Sequence, residues 1–151
     1  DVEMIRIERL GAGDLERAKT LFALMAAVFE TETETLSTGY VARLLERDDF
    51  WAFEASVEGR TAGGLTAHTL PLTRIEESEV FLYDIAVMPE YQRRGVGRKL
   101  VMALREQAAA SGIKLMWVPA DNEDTHALDF YRALGGAPAP VTIFTFPAGG
   151  G

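Results

Sequence analysis

The chain has 151 residues, 48% of them hydrophobic, and a formal net charge of −8. This length and apolar content predict a single compact domain across residues 1–151. The acidic balance disfavours a nucleic-acid partner, because the phosphate backbone would be repelled. No cysteine is present, which excludes disulfides, thiolate metal sites and a cysteine nucleophile.

Targeting signals are missing from the sequence as given. No apolar run reaches membrane-spanning length and no leader pattern appears, so we expect a cytoplasmic protein with no membrane partner. Residues 1–3, which precede Met4, are interpreted as an expression remnant, and residues 147–151 as a flexible tail. The two histidines, His68 and His126, are too few and too far apart to predict a metal site.

The first half of the chain alternates between strand and helix patterns. Period-two alternation indicates strands, and apolar residues at three- and four-residue spacing indicate helices. Ser37 is a favourable N-cap residue, and Glu58-Gly59-Arg60 is typical of a hairpin turn. The predicted elements are a strand over residues 4–9, a helix over 14–29, a short helix after Ser37, and a hairpin of strands over 51–57 and about 60–69.

The second half begins with the strand Val80–Val87, which is nearly all apolar. Such a run predicts a central strand covered on both faces. Further apolar periodicity predicts a helix over residues 97–111, a strand over 113–118, a helix from 124 or 125 to 134, and a closing strand over 141–146.

A basic, glycine-containing turn joins the strand Val80–Val87 to the following helix. Its sequence is Gln92-Arg93-Arg94-Gly95-Val96-Gly97, followed by Arg98 and Lys99. Backbone N–H groups at a helix start lack partners and carry the positive end of the helix dipole, so this turn predicts a phosphate site. The dinucleotide fingerprint does not fit, because its third glycine position is Leu100, and no Gly-Lys-Ser/Thr follows as a Walker motif requires. An ordinary strand–turn–helix connection is the alternative.

This turn resembles the pyrophosphate loop of the GCN5-related N-acetyltransferases, whose pattern is Gln/Arg-x-x-Gly-x-Gly/Ala. The resemblance implies an α+β fold with a mixed central sheet and flanking helices, and acetyl-CoA as cosubstrate. It further implies that the backbone of the strand pairs with the pantetheine arm and that the Val87 N–H points at the thioester carbonyl. The cofactor contacts implied in this way are Ile85, Ala86, Val87, Gln92, Arg93, Arg94, Gly95, Val96, Gly97 and Arg98.

Asp84 is the one acid in the apolar run Phe81–Val87. An unpaired buried carboxylate is costly, so Asp84 must be paired, protonated or directed into a wet cleft. We interpret it as an active-site base that holds and deprotonates an ammonium group. The alternative is a structural carboxylate satisfied by a core arginine or by backbone amides.

A closer resemblance appears in Tyr83–Val87, the glycine turn and Ala120–Gly135 together, which are similar to the aminoglycoside 3-N-acetyltransferases. It implies direct acetyl transfer, in a ternary complex, to an amine of an aminoglycoside antibiotic at the 3-amino position, conferring resistance. A homodimer is also expected. Other acceptors remain open: another small polyamine, a protein amine, or none at all if the chain is a non-catalytic acetyl-CoA-binding module.

The same resemblance assigns the remaining site residues. Tyr131 matches a tyrosine near the acetyl-CoA sulfur that can protonate the departing thiolate, although simple core packing would also explain it. Asp124 stands where the superfamily often has asparagine, which suggests an acid turned toward substrate. A histidine base is a lesser alternative. The predicted acceptor contacts, each of which could instead be a solvated surface residue, are Glu30, Glu32, Tyr83, Asp84, Asp121 and Asp124.

Overall fold

The structure, a computed structural model, describes residues 4–30 and 34–149. It has the predicted α+β architecture, a mixed five-stranded sheet with flanking helices. The strands are β1 (Ile5–Arg9), β2 (Phe50–Val57), β3 (Arg60–Pro71), β4 (Ser78–Val87) and β5 (Leu115–Trp117). The helices are α1 (Leu15–Phe29), α2 (Thr38–Leu45), α3 (Val96–Ala110) and α4 (Thr125–Ala133), with 3-10 turns at Ala12–Asp14 and Pro89–Tyr91.

The chain divides into two compact units, Asp1–Pro119 and Ala120–Gly151. The first contains the sheet and α1 to α3, and the second contains α4. The single domain predicted across residues 1–151 stays a prediction. The interpretations of residues 1–3 and of the last two residues lie outside the described ranges.

The sheet runs in the order β1-β2-β3-β4-β5. Neighbours from β1 to β4 are antiparallel, and β5 pairs in parallel with β4. A parallel neighbour needs a crossover connection, which α3 supplies. The β4–β5 pairing covers only Glu79–Phe81 of β4, so β5 flanks the beginning of that strand and not its end.

Helices pack on both faces of the sheet. On one face, α1 and α2 bury Leu21 and Val41 in a cluster with Phe50 and Ala52 of β2 and Ala86 of β4. The intervening residues of the strands, such as Phe53, point to the opposite face because strand side chains alternate. There α3 packs across β1 to β4 through its buried apolar stripe.

Local signals in the first half of the chain are confirmed. The Ser37 hydroxyl accepts a hydrogen bond from the Tyr40 N–H at 3.1 Å and caps α2. Glu58 and Gly59 have φ of 50° and 80°, the positive values that a tight two-residue hairpin turn requires. None of the helices in the described ranges combines the length and apolarity needed to cross a membrane.

Two strand predictions are wrong. β4 is not covered on both faces along its length: Val80, Leu82 and Ala86 are buried, but Tyr83 is 59% exposed. The predicted closing strand over residues 141–146 has no regular structure, although its sequence alternates as a strand does. A strand is stabilised by hydrogen bonding to a neighbour and by a covered face. In the described part of the chain this segment has no strand partner, and its large apolar side chains are exposed.

Candidate active site

A β-bulge in β4 sets the direction of Asp84. Thr66 of β3 pairs with Asp84 and the next residue, Ala67, pairs with Leu82, so Tyr83 is an extra residue opposite β3. The extra residue shifts the alternation, which brings Asp84 to the same face as Phe81 and Ala86. This is the face that α1 and α2 cover over Ala86, and Asp84 lies beside that covered area.

The second half of β4 is open on the side opposite β3. Met88 N–H donates to Ala62 O at 2.8 Å. In an antiparallel pair every second residue forms hydrogen bonds to the same neighbour, so the backbone groups of Ala86 and Asp84 also face β3. The backbone groups of Ile85 and Val87 therefore point away from β3. Consistent with this, Val87 O accepts a hydrogen bond from Gln92 Nε2 at 3.0 Å. Of the three residues predicted to pair with a pantetheine arm, Ile85 and Val87 have the required orientation, and Ala86 is turned toward β3.

The glycine turn has a backbone suited to an anion. Gly95 has φ +83°, and a Cβ atom at that position would meet no heavy atom within 4 Å, so the backbone is open to an approaching ligand. Arg93 also has a positive φ of 65°. The first α3 bond described runs from Lys99 N–H to Gly95 O at 3.0 Å. The N–H groups of Val96, Gly97 and Arg98 precede it and have no acceptor within the helix.

Arginine side chains surround this turn. Arg93, Arg94 and Arg98 are exposed, and the Arg94 guanidinium lies 5.6 Å from the centre of the Tyr91 ring. Because Gln92 bonds to Val87 O, the turn is joined directly to the open half of β4. The backbone N–H groups at the start of α3 are thus linked through Gln92 to the backbone of Ile85 and Val87. A diphosphate suits the first set of groups, and an extended arm suits the second.

The surroundings of Asp84 raise its proton affinity and leave it without a salt bridge in the described ranges. It is half-buried, and among the described residues no hydrogen bond or salt bridge reaches it; the charged group that acts on it is the His68 imidazole. Burial raises the pKa of Asp84, and the charge of His68 offsets part of that rise. The core arginine or amide partners considered as an alternative are not found in the described ranges. A carboxylate with increased proton affinity beside an accessible surface can accept a proton from a bound amine.

Sequence reasoning missed a continuous run of aromatic rings on the Asp84 face. We call it the aromatic strip, and it consists of Phe22, Phe50, His68, Tyr83, Phe81 and Trp117. Successive ring centroids are 6.3, 5.4, 5.7, 5.3 and 4.5 Å apart, and the last pair, Phe81 and Trp117, is stacked with an interplanar angle of 6°. The signal in the sequence was an aromatic residue in each of α1, β2, β3, β4 and β5, but only the strand register brings them together.

The second unit carries the other predicted residues. Asp124 Oδ1 accepts the Ala127 N–H at 3.0 Å and caps α4, and Asp121 Oδ1 accepts the Glu123 N–H at 2.9 Å. Both acids therefore also have a structural task. Burial, and after it the charge of Asp124, raises the pKa of the Tyr131 hydroxyl. The hydroxyl therefore stays protonated near neutral pH.

The structure adds little about the two predicted acceptor contacts near the end of α1, Glu30 and Glu32. Glu30 is exposed and ends α1 in a left-handed conformation, with φ 54°. Glu32 lies outside the described residues. Within the described ranges, no group of three or more His, Cys, Asp or Glu side chains is arranged to hold a metal ion.

Known proteins match both the sequence and the fold. The family model for the acetyltransferase (GNAT) family matches residues 17–135. A crystal structure of an aminoglycoside acetyltransferase from an uncultured soil metagenomic sample, in complex with sisomicin, is 33% identical with a TM-score of 0.90, covering 95% of each chain. A second aminoglycoside acetyltransferase from such a sample is 31% identical with a TM-score of 0.87, covering 96% of this chain and 99% of that one.

A curated relative has a different acceptor in its name. The ribosomal protein bS18 alanine N-acetyltransferase of Salmonella typhimurium is 30% identical over 80 residues, which are 53% of this chain and 54% of that protein. The chain thus spans about half the length of this relative. With the family match across residues 17–135 and structural neighbours that agree over nearly the whole chain, the protein belongs to the GNAT family of acetyltransferases, whose cosubstrate is acetyl-CoA.

Proposed function

We propose that this protein transfers acetyl from acetyl-CoA to an amine of an aminoglycoside antibiotic, directly and in a ternary complex, with the 3-amino group as the acceptor. The observation that carries this proposal is Asp84, an unpaired, half-buried carboxylate beside the open half of β4. Solved relatives named as aminoglycoside acetyltransferases, one of them complexed with sisomicin, support the choice of acceptor. Resistance, a homodimer and a cytoplasmic location belong to the same proposal.

Asp84 would act first on the acceptor. An amine of an aminoglycoside is largely protonated at neutral pH and cannot attack until it has lost a proton. The carboxylate attracts the ammonium form and then takes its proton, and burial increases its affinity for that proton. His68 limits this increase, because its charge favours the ionised form of Asp84.

The backbone of β4 and the glycine turn would hold the cosubstrate. Acetyl-CoA supplies the activated thioester. The backbone of Ile85 would pair with the pantetheine arm, and the Val87 N–H would donate to the thioester oxygen as charge develops there, an effect typical of oxyanion holes. The N–H groups of Val96, Gly97 and Arg98, with Arg93 and Arg94, would bind the diphosphate.

Tyr131 would return a proton to the departing thiolate. Its raised pKa keeps the hydroxyl protonated at neutral pH, as a general acid requires. The acids Glu30, Glu32, Asp121 and Asp124 complete the proposal as contacts for other ammonium groups of the acceptor. Asp121 and Asp124 would each use the carboxylate oxygen that is not engaged in the loop or the α4 cap.

A protein amine is the second candidate acceptor. The observation that favours it is the name of the Salmonella relative, a ribosomal protein alanine N-acetyltransferase. Free-thiol release from acetyl-CoA, measured with sisomicin, spermidine and an Ala-terminated peptide, separates the candidates. Saturable turnover with sisomicin and a mass increase of one acetyl group on its 3-amino nitrogen are expected. Turnover with the peptide alone would transfer the assignment to a protein amine, and no turnover with any of them would favour a binding module.

A further inference from the structure

The aromatic strip runs from the core of the first unit to its surface. Phe50 is buried beneath α1, where Phe22 contacts it edge to face. The strip continues from His68 through Tyr83 and Phe81 to Trp117. His68 and Phe81 are partly exposed, and Tyr83 and Trp117 are 59% and 41% exposed. The buried end fixes the strip in the fold, and the other end is exposed at the surface.

The other tryptophan of the chain, Trp51, is buried, in contrast to Trp117. Trp51 is 3% exposed, lies on the opposite face, stacks on Phe53, and donates from Nε1 to Thr69 Oγ1 at 2.7 Å. The Arg9 guanidinium covers its ring at 3.8 Å. Trp51 is therefore fully engaged within the protein, whereas Trp117 has one stacked partner, Phe81, and an exposed remainder.

Charge complements the exposed rings. Asp84 follows Tyr83 directly at the bulge and pairs with Thr66, two residues before His68 on the same face of β3. The unpaired carboxylate thus lies beside the exposed half of the strip. Aromatic faces attract cations and pack against apolar C–H groups, and a neighbouring carboxylate selects a positively charged ligand.

On these grounds we infer that the exposed end of the strip, Tyr83, Phe81 and Trp117, is an acceptor subsite that stacks against a saturated amino-sugar ring and makes Trp117 a specificity-determining residue. This inference rests on the proposed function. Trp117 is stacked on Phe81 at 4.5 Å, which fixes the orientation of the indole, and its exposed remainder is available to a sugar ring of the acceptor. A linear polyamine has no ring to stack, so it gains the attraction of the carboxylate and of the ring faces for its ammonium groups but not the packing of a sugar ring.

Steady-state kinetics test the subsite. Trp117→Ala should raise KM for sisomicin about tenfold, with a much smaller effect on KM for spermidine and on acetyl-CoA affinity. Trp117→Phe keeps a ring and should recover most of the loss. Trp51→Phe, at the other tryptophan, is the matched control and should leave both acceptor KM values unchanged.

Fluorescence gives an independent readout that does not need turnover. The chain has two tryptophans, so Trp51→Phe leaves Trp117 as the sole indole and Trp117→Phe leaves Trp51. Sisomicin should change the Trp117 emission saturably, with a midpoint near its KM, and should not change the Trp51 emission.

The outcomes separate this inference from the proposed function. If sisomicin is acetylated but Trp117→Ala leaves its KM unchanged and Trp117 emission does not respond, the subsite is wrong and the proposed function stands. If Trp117→Ala raises the KM values for sisomicin and spermidine equally, stacking on a sugar ring is likewise excluded. If wild-type protein neither binds nor acetylates sisomicin, both the proposed function and the subsite are wrong.

Discussion

The two halves of β4 differ in how they are paired, although both are apolar in sequence. Glu79–Phe81 is hydrogen-bonded to β3 on one side and to β5 on the other. Ile85–Val87 is paired with β3 alone, and the bulge at Tyr83 separates the halves. The first half has a strand on each side. In the described ranges, the second half has a strand on one side only, so its other edge is unpaired. In this fold, the segment proposed to hold the cosubstrate lies where strand pairing stops.

The largest effect is expected from removing the carboxylate that the bulge exposes. Asp84→Asn keeps the shape and removes the base, so kcat should fall by about 10²- to 10⁴-fold, the usual range for general-base catalysis. Acetyl-CoA affinity, measured by calorimetry, should change little. Glu79→Gln removes an acid from the doubly paired half and is the control. Turnover close to wild type in Asp84→Asn would contradict the assignment of the base.

A smaller loss is expected at Tyr131. Tyr131→Phe removes the proton donor but keeps the ring, and kcat should fall by about tenfold because a thiolate is already a good leaving group. Acceptor and cosubstrate KM values should change less than kcat. If kcat is retained while thermal stability falls, Tyr131 is a packing residue.

The glycine turn should respond through cosubstrate binding. Gly95→Ala puts a side chain at φ +83°, which costs about 1–2 kcal/mol, and places a methyl group where the backbone faces the ligand. Acetyl-CoA affinity should fall by about tenfold or more. Gly59→Ala is a matched control, since Gly59 has φ +80° and the same open surroundings but lies in the β2–β3 turn. Equal losses of affinity in both variants would mean that strain alone, not the phosphate site, is responsible.

Replacing His68 should shift the pH profile of kcat/KM. Because the charge of His68 lowers the pKa of Asp84, His68→Gln should raise that pKa and move the acidic limb of the kcat/KM profile to higher pH. His126→Gln, in the second unit, serves as the control. An acidic limb that does not move in His68→Gln would show that the charge of His68 does not influence the pKa of Asp84.

The smallest effect is on stability. Burial raises the folded-state pKa of Asp84 above its unfolded value, so the folded state binds more protons between the two values, and stability falls as pH rises through that window. Asp84→Asn should therefore be slightly more stable than wild type at neutral pH, and the difference should vanish at pH values below both pKa values. Thermal unfolding at several pH values checks this. A variant that is less stable at neutral pH would show that the carboxylate has a stabilising partner.

Much of the architecture is predictable from sequence because local signals determine it. The glycine turn, the Ser37 cap and the Glu58-Gly59 hairpin each use residues whose backbone or hydroxyl chemistry acts within a few positions. Asp84 could also be identified from sequence as a candidate site residue, since burying an acid in an apolar strand costs free energy unless a partner or solvent satisfies it.

The features that were not predictable depend on pairing between distant segments. The bulge at Tyr83 exists only relative to the register of β3, and the early end of β5 decides which part of β4 is open. The aromatic strip combines residues of five elements, so no single segment indicates it. The strand predicted over residues 141–146 is wrong for the same reason: its alternating sequence is a local signal, but a strand also needs a neighbouring strand to pair with.

The measurement that tests the central claim most directly is amide hydrogen exchange along β4, with and without acetyl-CoA. Ala86 N–H is bonded to β3 and should be protected in both states, whereas Ile85 and Val87 N–H face the open side and should become protected only when acetyl-CoA binds. Exchange at Ile85 and Val87 that remains fast at saturating acetyl-CoA would contradict the account that the open half of β4 holds the cosubstrate.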